Sequence, residues 1–371
     1  MTPPELAIQK FLRNGGTLAE LEEKYAVTAK RHPIYPELVH LSYSQIDSPF
    51  SKQIVQESRG LILDSEEDWN TVCFPLTKFF NAGEQLAAQI DWLSARMEVK
   101  LDGSMLCLWW YKGWNWSTTG SPDAGGNVGD PNLSKITFAQ LANQVWREQL
   151  LWDPGFRGID YTYVFELTGP QNRVVVDYKE PRLTLIAARN LLTGEEVDPV
   201  SLGFNWSNIL TYPVSNLEEA ISAAEKLNPL VQEGWVVKDK NFNRIKVKSV
   251  AYVQMHHLKS SWSLRNAVEM VRSGKGLDDA SWLPQYSNLC KIEEKYKELI
   301  LRIETNHDRL TAMNYPNQKL YALEACKVPW SGAHFGVRSG KFHSAKEYLQ
   351  SIHIDSLIKL LELGPQIQTS N

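Results

Sequence analysis

Lys100-Leu101-Asp102-Gly103-Ser104 is the stretch from which the rest of the chain is read. A lysine is followed at once by Asp-Gly, a turn signal, and Met105 to Tyr111 is apolar enough for a strand. A lysine held at a fixed turn can act as a covalent nucleophile once its amine has lost its proton. Downstream come Phe165-Glu166, then Glu233-Gly234-Trp235-Val236-Val237, then Lys246-Val247-Lys248. The order is K-x-D-G, an acidic strand, E-G-x-V and K-x-K.

Strand alternation assigns faces to these residues. In Tyr161 to Leu167 the aromatics and Leu167 share one side, which leaves Glu166 on the other with Thr162 and Val164. In Arg244 to Lys248 the three cations share a side, while Ile245 and Val247 point inward. Neighbouring cations repel, so the arrangement makes most sense if an anion bridges them, and a nucleotide triphosphate is the obvious candidate. The structural alternative is an edge strand that uses lysine against aggregation. Deprotonating an unperturbed lysine at pH 7 requires roughly 4 to 5 kcal/mol. Nearby lysines and a bound Mg²⁺ lower that requirement, whereas a glutamate beside the amine raises it. Glu233 and Glu166 are therefore expected to hold metal, water or ribose, and Lys246 and Lys248 to tune Lys100 while gripping phosphate.

At 371 residues the chain is long enough for two domains, each with its own core. A formal net charge of −4 argues against a non-specific polyanion binder, so any nucleic-acid surface must be a local basic patch. Cys73, Cys107, Cys290 and Cys326 form no C-x-x-C pair, which indicates neither a zinc site nor a disulfide framework, and a reducing cytoplasm fits best. Met1 to Glu23 mixes charged and apolar residues, unlike a signal peptide, and no apolar run is long enough to cross a bilayer. Trp109, Trp110, Trp114 and Trp116 invite a stacking-platform reading, but packed core and hairpin edge account for them better.

Thr17 with Glu20 predicts a helix start by a capping box. From Leu38 to Lys248 the pattern is mostly strand, with runs at 61–63, 105–111, 161–167, 174–178, 183–187 and 235–237, and with helices at 138–151 and 217–227. After about Tyr252 helical spacing takes over. Leu289, Ile292, Tyr296, Leu299, Ile300 and Ile303 form one stripe, and Ser344 with Glu347 predicts a helix over 348–363. The boundary falls near residue 255. Gly336 to Lys341 looks like a phosphate-loop fragment, but it is one residue short between its glycines, and Phe342 stands where Ser or Thr is required.

The K-x-D-G to K-x-K order is that of the covalent nucleotidyltransferases, and the chain resembles the phage-type RNA ligase 1 family within them. Arg59-Gly60-Leu61-Ile62 is similar to its R-G-hydrophobic segment, and Lys78-Phe79-Phe80-Asn81 to its K-F-F-N segment. Phe165 to Val175 is similar to its F-E-x-x-x-P-x-N-R-I-V run, and Leu258-Lys259-Ser260-Ser261 to its x-K-S-S run. Asp278-Asp279 falls at its acidic pair, and Tyr321 to Ala325 matches Y-A-x-E-A. The resemblance implies an α+β fold: an N-terminal nucleotidyltransferase domain with ATP-grasp-like antiparallel sheets over residues 1–255, then an all-helical RNA-specificity domain over 256–371. It implies ATP and Mg²⁺ or Mn²⁺ as cofactors, and RNA as partner, notably a broken tRNA anticodon loop, with no membrane and no obligate protein partner.

By position, Lys100 would be the nucleophile, with Arg59 and Lys78 on the triphosphate tail and Tyr43 on the nucleotide. Glu166 would take the ribose or a metal-bound water, Glu233 the metal shell, and Lys246 and Lys248 the α- and β-phosphates. Asp278 would be a further metal residue, and Tyr252 matches another functional tyrosine. Where the family carries T-K-G-S or S-K-G-S, this chain has Ser117-Thr118-Thr119-Gly120-Ser121, so Thr119 replaces a cation and leaves Lys112 or Arg173 as candidates to compensate. A DNA ligase or capping enzyme would follow the K-x-K strand with a β-rich OB-fold, against the helical pattern seen here. The rival reading is a non-catalytic RNA-binding protein that keeps the fold.

Overall fold

The structure, a computed structural model, describes residues 3–129, 135–149, 158–202, 209–260, 262–274, 280, 283 and 285–363. The chain divides into two compact units, Met1–Ser249 and Val250–Asn371. The first is mixed α and β. It opens with α1 (Ala7–Arg13) and α2 (Leu18–Tyr25), then β1 (Val27–Arg31), β2 (Leu38–Tyr43), α3 (Gln53–Glu57), β3 (Arg59–Asp64) and β4 (Asn70–Cys73). Next come β5 (Phe80–Asn81), β6 (Arg96–Lys100), β7 (Ser104–Trp110), β8 (Trp114–Thr118), α4 (Phe138–Glu148), β9 (Tyr161–Thr168) and β10 (Arg182–Asn190). The unit closes with β11 (Glu196–Val197), β12 (Thr211–Pro213), α5 (Leu217–Glu225), β13 (Gly234–Lys238) and β14 (Arg244–Lys248).

Three sheets result, ordered β1-β2-β3-β4, β11-β10-β9-β7-β8 and β12-β6-β13-β14-β5. Every pairing is antiparallel except β14 with β5. The first sheet buries Leu41, Leu61 and Leu63 under α1, α2 and α3, and sets Leu38 and Ile62 against Cys107, Trp109 and Val164 of the second. The far side of the second sheet packs Leu106, Phe165 and Leu185 with Leu141 and Val145 of α4. The third sheet covers Met97, Val237, Ile245 and Val247 with Ala220 and Ala224 of α5. Its opposite face is charged, and it becomes one wall of the site.

Local chemistry sets the boundaries. Thr17 Oγ1 accepts the Glu20 amide while the Glu20 carboxylate accepts the Thr17 amide, the reciprocal box expected from the sequence. Thr137 and Gln140 repeat it at α4. The run 174–178, expected as a strand, is irregular: the buried Asp102 carboxylate accepts the amides of Val175 and Val176, both at 2.8 Å, and so takes donors that a ladder would use. Of the tryptophans at 109–116, Trp109 and Trp116 are buried and Trp114 packs against the same core as Trp116. Trp109 is fully buried with its indole N–H on Ser117 Oγ, Trp116 packs on Phe165, and Trp110 alone of the four is exposed.

The described elements of the second unit are α6 (Val250–Ser260), α7 (Leu264–Ser273), α8 (Tyr286–Ala312), α9 (Gln318–Ala325), α10 (Ser331–Arg338), α11 (Ala345–Ser351) and α12 (Ile354–Leu360). The expected stripe on α8 is buried at Leu289, Ile292, Tyr296, Leu299 and Ile303. The single helix expected over 348–363 is two, because Ile352 is extended and His353 caps α12 by accepting the Asp355 amide. Ser344 caps α11, but the Glu347 carboxylate accepts the His343 amide rather than closing a box with Ser344. Gly336 lies inside α10 against Phe342, as part of a helix end and turn rather than a phosphate loop. No described helix is long and apolar enough to cross a membrane.

Candidate active site

β13 lies between β6 and β14, so Gly234 pairs with Lys100 on one side and with Lys248 on the other. The next row on that face is Glu98, Val236 and Lys246, and the one after is Arg96, Lys238 and Arg244. Strand alternation thus concentrates seven charged side chains on one face while the other buries Met97, Val237 and Ile245. Two glycines permit the close packing. A Cβ on Gly234 would stand 2.3 Å from the Val247 carbonyl oxygen, and one on Gly103 would stand 2.2 Å from that of Leu167. Because those neighbours are backbone, Gly234→Ala should destabilise the first unit by about 1–3 kcal/mol. The expected result is a melting temperature lowered by several degrees in thermal denaturation, as such a loss implies for a unit of this size.

The Glu233 carboxylate, 2% exposed, bridges two cations: its Oε2 lies 2.6 Å from Lys100 Nζ and its Oε1 lies 2.8 Å from Lys248 Nζ. Both oxygens, expected to face a metal shell, are thus engaged by lysine. The reason is the register, which sets Glu233 beside the row that holds both amines. Glu166 projects from β9, and its Oε1 accepts the Gly103 amide at 3.1 Å. Removal from water, reinforced by Glu233, pushes its carboxyl up to about 7 against the opposing pull of Lys100 and Arg59. Its strand neighbours Thr162 and Val164, expected to share a pocket-lining side, are buried, and only Glu166 of the three lines the cavity.

Lys246 makes no ion pair among the described residues, and its ammonium lies over the Phe79 ring at 4.7 Å. Burial, together with Arg59, Lys100, Lys78 and Lys248, lowers it to about 7. Arg59 covers the same ring at 5.6 Å and has a buried Nη1 with no hydrogen-bond partner among the described residues. Lys78 sits 4.1 Å from the Phe50 ring centre and 5.2 Å from that of Tyr43, and burial beside Arg59 lowers it too. Uncompensated cations held by aromatic faces are an anion site in waiting.

Arg59, Lys100, Glu166, Lys246 and Lys248, together with Thr119 and Gly120, line a cavity of 570 Å³, whereas Lys78 lines a neighbouring cavity of 690 Å³ with Phe80. Tyr43 does not line the 570 Å³ cavity, and packs instead beside Lys78 and Phe50. Tyr252 lies on α6 in the second unit, buried and stacked on His256, and Asp278 falls outside the described residues. Neither Lys112 nor Arg173 stands in for the cation missing at Thr119. Lys112 pairs with Glu37 and Arg173 with Asp177, and neither lines the cavity.

Three features escaped sequence reading. Asp102 is a structural clamp, Glu98 holds Lys238 and Arg96, and Arg244 is gripped in a fork by Glu196 of the second sheet. Alternation along β6 could have flagged Glu98, but the inter-sheet partner of Arg244 had no local signal. With Glu98 and Glu233 already paired, Glu166 is the cleft carboxylate with an oxygen to spare. Among the described residues no three His, Cys, Asp or Glu side chains are gathered as metal ligands. One carboxylate oxygen suits an ion whose other ligands are water and phosphate.

The sequence profile of the RNA ligase family, of the phage RNA ligase 1 type, matches residues 57–262, more than half of the chain. This chain belongs to that family. Its match covers every cavity residue named above. The family member is 29% identical over 347 residues to a protein of Autographa californica nuclear polyhedrosis virus described as a bifunctional polynucleotide kinase/RNA ligase, with 88% of this chain and 48% of that protein covered. It therefore spans about half the length of that relative. It is 24% identical over 378 residues to the RNA ligase of Rhodothermus phage RM378, with 83% and 81% covered. Among solved structures, an archaeal ATP-dependent RNA ligase in its form 2 superposes with a TM-score of 0.46 at 14% identity, over 72% of this chain and 68% of that one.

Proposed function

We propose that the protein is an ATP-dependent RNA ligase that works through lysyl-AMP and RNA-adenylate. The observation that carries this reading is the row Lys100, Gly234 and Lys248 with Glu233 bridging its amines, opposite Glu166 and beside the unpaired Lys246. Lys100 Nζ attacks the α-phosphorus of ATP, the bond to the bridging α–β oxygen breaks, and pyrophosphate leaves. Attack needs the neutral amine, and Glu233 Oε2, 2.6 Å away, is within reach to receive its proton. Lys246 and Lys248 meet the α- and β-phosphates, Arg59 and Lys78 the outer ones, and Tyr43 the nucleotide. An oxygen of an RNA 5′-phosphate then attacks the AMP phosphorus, and the P–N bond breaks to free Lys100. Finally a 3′-hydroxyl attacks the activated 5′-phosphorus and AMP departs.

A magnesium or manganese ion fits beside Glu166, and when bound it supplies charge neutralisation on the phosphates. Glu233, whose oxygens are held by Lys100 and Lys248, is a further acidic residue for its shell. Residues 1–255 are the adenylyltransferase domain, and 256–371 a helical RNA-specificity domain for a broken tRNA anticodon loop, with repair in the cytoplasm as the setting.

Truncation tests the division. A chain ending after residue 261 should still take label from α-labelled ATP, yet its preference for a nicked stem-loop over linear RNA should fall toward one. Joining rates on both substrates, with labelling as the folding control, are the measurement. An unchanged ratio would move selectivity into the first domain.

A further inference from the structure

The face of the second sheet that carries Glu166 does not end at the catalytic cavity. Cross-strand partners project to the same side, so register defines successive rows. Cys107, Val164 and Ala187 form one, buried against the first sheet. Met105, Glu166 and Thr184 form the next, at the cleft, and Thr168 with Arg182 lies one step beyond. Apolar gives way to acidic and then to polar and cationic. The last row opens into a second cavity of 490 Å³ that also takes in Thr184. Val99, Leu101, Ile209 and Leu210 form an apolar wall, and Tyr178, Lys179 and Glu180 complete the lining. Val99, Leu101 and Ile209 line the catalytic cavity as well, so the two spaces share a wall next to Lys100.

This groove has bonding capacity that the protein does not use. Among the described residues, the hydroxyls of Thr168 and Thr184 accept and donate no hydrogen bond, and the exposed Arg182 makes no ion pair. Leu210 is 63% exposed on the facing wall. A cation and hydroxyls on one side with apolar side chains on the other match a single polynucleotide strand, which presents phosphates along one edge and base faces along the other.

We propose that this groove is the track for the RNA strand that carries the 5′-phosphate, with Arg182 on its backbone and the bases against Leu101 and Leu210. The proposal rests on the ligase reading above. The strand's identity follows from charge and place. The terminal phosphate adds roughly 1.5 to 2 negative charges, as a phosphomonoester does, and must reach the adenylate on Lys100, beside which the groove opens.

The test uses the full chain with Arg182→Glu, Arg182→Ala and Arg182→Lys. Fluorescence anisotropy follows a labelled, 5′-phosphorylated oligoribonucleotide between about 50 and 200 mM salt, and KM is measured separately for each strand in the joining reaction. Arg182→Glu should weaken binding of the 5′-phosphorylated strand about tenfold, Arg182→Ala less, and both should reduce the salt dependence by about one phosphate contact. Arg182→Lys should restore most of the affinity. Lysyl-AMP yield and the KM of the 3′-hydroxyl strand should stay at wild-type values. Unchanged affinity for the 5′-phosphorylated strand, or a loss that falls on the 3′-hydroxyl strand, overturns the assignment. A wild-type chain that forms no lysyl-AMP would instead refute the ligase reading, and the anisotropy comparison would still decide the groove.

Discussion

Lys100→Ala should take up no label from α-labelled ATP on a denaturing gel, a fall on the order of 10⁴-fold or more, as expected when a covalent nucleophile is removed. The same variant should still join RNA that already carries a 5′-AMP, since that step needs no free amine. Folding is a legitimate worry here, because Glu233 is buried and loses one of its two lysines. Breaking a buried pair outright costs about 3–5 kcal/mol, but Lys248 remains on the other carboxylate oxygen, so the variant should keep a cooperative melt. Persistent labelling in a folded Lys100→Ala chain would move the covalent site elsewhere.

Lys246→Met should slow adenylylation by about 10² to 10³, the effect of losing one charge-assisted contact to a phosphate whose charge develops in the transition state. Methionine keeps the apolar stem over Phe79 and removes only the ammonium. The pH dependence identifies the group. In the free protein Lys246 loses its proton near pH 7, and a bound triphosphate raises that value. Nucleotide binding should therefore take up a proton just above pH 7, and affinity should fall as pH rises through that window. Folding runs the other way: the unfolded lysine keeps its proton to about 10.4, so this residue's contribution to stability improves as pH climbs from about 7 toward that value. Titration calorimetry in buffers of different ionisation enthalpy measures the uptake, which Lys246→Met should abolish. A wild-type single-turnover rate in that variant would remove Lys246 from the phosphate contacts.

Legibility differed between the strands of the site and the segments around them. On β14 alternation separated the α5-facing Ile245 and Val247 from the cationic side, because period two is a property of the backbone, whereas on β9 both sides are buried apart from Tyr161 and Glu166, Val164 lying against the first sheet. What alternation could not supply was the partner across space. That Asp102 would spend its carboxylate on Val175 and Val176 depends on two segments about seventy residues apart, and the run 174–178 looks extended until that partner is known. Likewise Glu233 reads as a spare acid in sequence and becomes a bridge only once β13 is known to lie between β6 and β14. The break at Ile352 was missed because both sides of it are good helix, and one histidine cap outweighs the periodicity.

The placement of Lys100 and Lys248 on either side of Gly234 turns the site into a gauge. Two strand-to-strand steps separate their backbones, about 9.6 Å in all, and that interval is written in main-chain hydrogen bonds that no side-chain substitution can lengthen or shorten. A reagent whose reacting atom and neighbouring charge are spaced differently cannot be accommodated by exchanging residues on these strands. Divergence toward other substrates would have to work through segments outside these three strands, leaving the calibration untouched.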